Sequence, residues 1–178
     1  LNSLSKFFSD KNKFTLGVCN GCQMLSNLQS IIPGSEHWPK FIKNNSNQFE
    51  ARQVLVKIPK SNSMLFKDMH KSILPIIVSH GEGKISIKNK SSIKKAIMQY
   101  VDSTGKYTEE YPYNPNGSLN GVTGFCNNDG RINIMMPHPE RLTHINNFSW
   151  APEEWKLSPW LKLFNLSLIH ISEPTRHA

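Results

Sequence analysis

Long apolar runs are missing from this chain. No stretch of its 178 residues approaches the ~20 consecutive apolar positions that cross a bilayer. Residues 1–10 hold no apolar core followed by a small-residue cleavage site, so no secretory leader is read there. Cysteine is scarce as well: three cysteines cannot all pair internally, and such thin use argues against a disulfide-stapled secreted domain. Reduced thiols in a soluble, cytoplasmic protein are expected. Acidic residues are outnumbered, 13 Asp and Glu against 21 Lys and Arg, for a net charge of +8. The densest basic run, KISIKNKSSIKK at residues 84–95, contains no RNA-binding aromatic motif or helix-turn-helix pattern. It reads as solvated surface, so no nucleic-acid partner and no membrane partner are expected.

What is present fits one domain with one substantial core. Residues 14–18 form a short apolar run ending in Gly17 and Cys19, and residues 23–32 carry Met24, Leu25, Leu28 and Ile31 at helical spacing. This is the pattern of strand, tight turn and helix. Residues 49–58 and 75–78 read as strands, and residues 91–99 (SSIKKAIMQ) as a helix with a serine start. Residues 107–111 and 122–126 look extended around the turn-rich PYNPNGSLNG, and Asp129-Gly130 predicts a hairpin turn into a strand over 131–136. The sum is a mixed α/β domain with late antiparallel strands. The last twelve residues, SLIHISEPTRHA at 167–178, resemble the open-frame translation of a sequencing-library adapter. They are set apart from the fold as a non-native tail, leaving residues 1–166 as the domain.

The chemistry concentrates at TLGVCNGCQMLSNL, residues 15–28, where Cys19 and Cys22 stand two residues apart. A structural zinc site needs about four ligands and finds no second paired spacing, so no metal is expected. A thioredoxin-like couple fits C-x-x-C ahead of a helix. A nucleophile elbow fits more of the residues: the nucleophile sits on a sharp strand-to-helix turn, and Gly17 and Gly21 flank Cys19 where crowding must be relieved. At a helix N-terminus, backbone N–H groups and the helix dipole favour a thiolate. The N–H of Asn20 would face a developing oxyanion, and Cys22 would be a packing residue.

A nucleophilic cysteine needs a histidine base and an orienting acid. Two H-x-E segments offer them: SHGEG, with His80 and Glu82, and MPHPER, with His138 and Glu140. In extended chain, residues i and i+2 point the same way, so either could pair imidazole with carboxylate. Pro139 favours the second, because a residue before proline is pushed toward extended backbone. Both pairs stay open on the residues alone.

GVCNGCQ resembles the G-x-C-x-G-x-Q elbow of class I (triad) glutamine amidotransferases, and HPE resembles their histidine–glutamate segment. WPKFIKNNSNQFEAR, VSHGEGKISI, YPYNPNGSLNGVTG, IMMPHPERL and SWAPEEW, in this order, are similar to the C-terminal glutaminase domain of the large, fused phosphoribosylformylglycinamidine synthases. The resemblance runs over residues 14–165. It implies a flavodoxin-like mixed sheet flanked by helices, with a first strand and an oxyanion loop lying upstream of Leu1, so that this chain alone would be weakly active. By resemblance, Cys19 is the nucleophile, His138 the base and acid, Glu140 the residue that orients His138, and Gln23 a substrate-binding residue. The substrate implied is L-glutamine, hydrolysed through a thioester. Its ammonia would pass to a synthetase domain of the same full-length chain, which uses ATP and magnesium to make formylglycinamidine ribonucleotide in purine biosynthesis. This domain would need no cofactor, and it shows no G-x-x-x-x-G-K-[ST] phosphate loop. The alternatives are another class I glutamine amidotransferase or a C-x-x-C thiol–disulfide protein. The resemblance assigns no role to SHGEG or NPNGS beyond a turn scaffold or a wall facing a partner domain.

Overall fold

The computed structural model describes residues 2–87 and 89–172, with backbone alone for 167–172. Helix α1 (Asn2–Ser9) leads into β1 (Thr15–Val18) and α2 (Asn20–Asn27). There follow β2 (Lys40–Ile42), β3 (Glu50–Lys57), β4 (Ile73–His80), β5 (Lys84–Ser86), β6 (Ala96–Val101), β7 (Val122–Cys126), β8 (Ile132–Met135) and α3 (Trp160–Ser172). The main sheet has six strands in the order β1-β8-β7-β6-β3-β4, and β2 pairs with β5 in a small second sheet. β1 runs parallel to β8, and the other pairs of the main sheet are antiparallel.

The apolar alternation of β3 places Val54 and Val56 on one face, where they meet Ile76 and Val78 of β4, Tyr100 of β6, and Trp160 and Leu163 of α3. The indole Nε1 of Trp160 donates to the Pro75 carbonyl at 2.8 Å, pinning α3 to β4. On the opposite face Phe125, Ile132 and Ile134 pack with Cys22 and Leu25 of α2 and Phe8 of α1. Helices thus cover both faces, the class I glutamine amidotransferase architecture that the resemblance implied. Arg131, buried at the start of the hairpin strand, donates to the carbonyls of Asp10 and Lys13 at 2.6 and 2.7 Å and fixes the connection from α1 to β1.

Three expectations are corrected. Residues 91–99 are not one helix: a 3-10 turn (Lys90–Lys95) gives way to β6, all six of whose residues are buried between β3 and β7. The demand of the sheet for a central strand outweighs the local helical spacing. The start signal is real but belongs to Asn89, whose side chain accepts from the N–H of Ser91. Met24, expected on the apolar face of the elbow helix, is 57% exposed, and Cys22, Leu25 and Ser26 face the core instead. The helix ends at Asn27 and continues as a 3-10 turn (Gln29–Ile31). Residues 107–111 form no strand beyond one bridge from Tyr107 to Val101. Of the adapter-like tail, residues 167–172 continue α3, and 173–178 lie outside the described residues.

Candidate active site

β1 delivers Cys19 to the end of the sheet, where its N–H donates to the Met135 carbonyl of the neighbouring β8 at 2.9 Å. The chain then turns sharply: Cys19 has φ 52° and ψ −109°, a backbone conformation that costs a non-glycine residue of order 1–3 kcal/mol. The Gln23 N–H reaches back to the Cys19 carbonyl at 3.1 Å, which starts α2. Gly17 is required by close approach, since a Cβ there would stand 2.6 Å from Leu25 Cδ1 and 2.8 Å from the Gly21 carbonyl oxygen. A Cβ on Gly21 would meet nothing within 4 Å, so relief of crowding falls to Gly17 alone. Asn20 is the exposed first residue of α2.

β8 carries His138 to the same end of the sheet. The His138 N–H donates to the Ile77 carbonyl of β4 at 2.8 Å, and Pro139 opens a 3-10 turn (Pro139–Leu142). This turn, rather than extended chain, brings Glu140 round to accept from Nδ1 of His138 at 2.6 Å. The imidazolium is strongly favoured: the Cys19 thiol beside the ring and then the Glu140 carboxylate push His138 up to about 9, against the effect of burial. Nε2 of His138 is buried without an aligned hydrogen-bond partner, and Cys19 Sγ leans on the Ser79 carbonyl at 3.7 Å. Sulfur and imidazole are near neighbours that still have to close on one another, as is common in an unliganded site.

Cys22 is 0% exposed, and burial, followed by the nearness of Cys19, raises its thiol pKa well above the usual value. Such a thiol is inert. Burial and the nearby Asp129 also push Cys126 up to about 12. All three cysteines are free, and no group of three His, Cys, Asp or Glu side chains among the described residues could hold a metal ion.

The second H-x-E segment lies at the same end of the sheet but in another arrangement. His80 closes β4 directly opposite Glu50 of β3, and its ring lies against Gly83, where a Cβ would come within 2.1 Å of Cε1. It is 3% exposed, neither ring nitrogen has a hydrogen-bond partner, and burial above all pushes its pKa down to about 4. Glu82 acts through its backbone, its carbonyl accepting from Nε2 of Gln23 at 2.8 Å. The NPNGS segment supports the same turn from behind. Asn116 Nδ2 donates to the Gly83 carbonyl at 2.8 Å, and the Ser118 hydroxyl accepts from the Ile85 N–H at 3.0 Å. SHGEG and NPNGS therefore form one hydrogen-bonded scaffold. Sequence reasoning missed Ser79, whose backbone carbonyl leaves no side-chain signature, and Asn44, one more asparagine in an asparagine-rich chain.

Comparisons with known proteins agree with this geometry. In fold the chain is similar to PurLQS from Thermotoga maritima, with a TM-score of 0.64 and 21% identity, over 90% of this chain and 63% of that one. It is also similar to a GMP synthase component from Thermoplasma acidophilum, with a TM-score of 0.54 and 13% identity, over 96% of this chain and 63% of that one. The chain thus spans 63% of the length of each of these relatives, and at such identities the likeness establishes the fold. The family itself is set by the sequence match over residues 1–168: this chain belongs to the CobB/CobQ-like glutamine amidotransferase domain family.

Proposed function

We propose that this domain hydrolyses the side-chain amide of L-glutamine, with Cys19 as nucleophile, His138 as general acid and base, and Glu140 holding His138 in place. The observation that carries the reading is a strained elbow cysteine beside an imidazole whose other nitrogen is tied to a carboxylate at 2.6 Å. The proton favoured on His138 leaves Cys19 as thiolate. The thiolate attacks the amide carbon, and the oxyanion that forms is met by the Asn20 N–H. Collapse of this intermediate breaks the C–N bond as His138 gives its proton to the departing nitrogen, releasing ammonia and leaving a glutamyl thioester. Neutral His138 then takes a proton from water, the hydroxide attacks the thioester, and the C–S bond breaks to give glutamate and restore the ion pair. Gln23, its carboxamide fixed by Glu82, binds the substrate.

The steps use only a thiol, an imidazole, a carboxylate and backbone donors, so we assign no cofactor to this domain. The ordered motifs and the likeness to PurLQS support a finer reading. On that reading the domain is the glutaminase portion of a cytoplasmic phosphoribosylformylglycinamidine synthase. Its ammonia goes to a synthetase domain that uses ATP and magnesium in purine biosynthesis. A thiol–disulfide role for Cys19 and Cys22 is disfavoured by the burial of Cys22.

Peptide mapping after treatment with a glutamine-like diazoketone, with iodoacetamide as the control for thiol access, tests the proposal. Label confined to Cys19, lost in Cys19→Ser and retained in Cys22→Ser, is expected. Equal labelling of both cysteines, or none by the diazoketone while iodoacetamide reacts at Cys19, overturns it.

A further inference from the structure

The turn at residues 80–83 meets the elbow through two backbone carbonyls. Ser79, just before the turn, accepts from the Cys19 thiol, and Glu82 accepts from Gln23. The conformation of the turn depends on a neighbouring buried amide. Asn44 is 1% exposed, and its Nδ2 donates to the His80 carbonyl at 2.8 Å and to the Gln48 carbonyl at 3.0 Å. Its Oδ1 accepts from the Gly83 N–H at 2.9 Å, and its own N–H donates to the Gly81 carbonyl at 2.9 Å. Both amide hydrogens are in use. With carbonyls on one side and an N–H on the other, the partners dictate which way the amide points.

The location of this amide matters as much as its bonding. Residues 43–49 cross from β2 to β3, and residues 81–83 cross from β4 to β5. These crossings join the small sheet to the main one, and Asn44 ties them together. Asn116 holds the Gly83 carbonyl from the far side, so Gly83 is bound at both its N–H and its C=O by buried asparagines. Cys19 is positioned independently, through β8 and the start of α2.

We infer that Asn44 is a positioning residue for glutamine recognition, setting the height of the 80–83 turn and through Glu82 the carboxamide of Gln23, without touching the substrate itself. The inference rests on the glutamine-hydrolysis reading. It separates two properties that a catalytic residue would change together: fit of a glutamine-shaped molecule depends on Asn44, and the intrinsic reactivity of the Cys19 thiol does not.

Asn44→Asp provides the test. The carboxylate keeps an acceptor for the Gly83 N–H and sets its second oxygen against two carbonyls, those of His80 and Gln48. Labelling of Cys19 by the glutamine-like diazoketone is expected to slow by ~10- to 10²-fold, the scale of a modest misplacement. The iodoacetamide rate should stay within about twofold. Gly83→Ala moves the same turn independently, because its Cβ would press on the His80 ring, and should give the same split between probes. A diazoketone rate unchanged in both variants overturns the inference. So does a parallel loss of both probes together with the melting temperature, which would mark Asn44 as a structural residue only. Should the unaltered chain react with iodoacetamide and not with the diazoketone, the glutamine reading itself falls, and this inference falls with it.

Discussion

His80-Gly-Glu82 and His138-Pro-Glu140 have the same two titratable residues at the same spacing, at the same end of one sheet, and opposite protonation behaviour. After His138 the chain tightens into a 3-10 turn that folds the carboxylate onto Nδ1 at 2.6 Å, and the ring is pushed up to about 9. After His80 the chain crosses to the small sheet, the ring is buried against Gly83 without a hydrogen bond, and it is pushed down to about 4. The glutamates diverge in the same way, Glu140 through its side chain and Glu82 through its carbonyl. Residue type and spacing thus decide little until the backbone places the carboxylate and the amount of burial is known. The proline matters because it opens the turn.

The largest test of this contrast is glutamate release from glutamine. His138→Asn is expected to lower it by ~10²- to 10⁴-fold, the usual contribution of a general acid–base. His80→Asn removes a ring that makes no hydrogen bond, and is expected to lower release by less than about tenfold. Equal losses would break the comparison.

A smaller effect is expected from Glu140→Gln. It removes the carboxylate charge from Nδ1, so the His138 titration followed by proton NMR should move down from about 9, while that of His80 stays near 4. Release should fall by about tenfold or more as the imidazolium loses its support. An unmoved His138 titration would show that the hydrogen bond at 2.6 Å does not hold the proton.

The smallest effect is on stability, and the two histidines give it opposite signs. His80 has a folded pKa near 4 against 6.5 unfolded, so the unfolded chain binds more protons between these values. Its contribution is present above pH 6.5 and is lost as pH falls toward 4. His138 has a folded pKa near 9, so its contribution is present below pH 6.5 and is lost as pH rises through 9. Melting temperature against pH should therefore fall away on both sides of about pH 6.5. His80→Gln should flatten the acid side and His138→Gln the alkaline side. A curve unchanged in either variant would show that the residue replaced does not set that side.

Much of the site was legible because its parts are local. Gly17 two residues before Cys19, a helix beginning at Asn20 and Pro139 beside His138 are each short-range demands of backbone geometry. What could not be read depends on distant chain. Residues 96–101 carry a helical spacing that the sheet overrides by burying every side chain on both faces. Gly21 looked like a steric requirement and stands in open space, because the tight contact lies at Gly17. The bond from Gln23 to Glu82 joins residues 59 apart through a carbonyl, and no side-chain pattern announces it. Asn44 is invisible for a related reason: its importance comes from the two crossings it ties, which are neighbours only after the sheets form.

β1 has a consequence of a different kind. Among the described residues it is paired on one side only, with β8, so the strand that presents Cys19 is also an edge of the main sheet. An edge strand is a template for another chain. Self-association along residues 15–18 would set an intruding strand next to the elbow and mask the thiol, so that clumping and loss of thiol reactivity would advance together with protein concentration. For this molecule the conditions that keep it dispersed are also the conditions under which Cys19 can be interrogated at all.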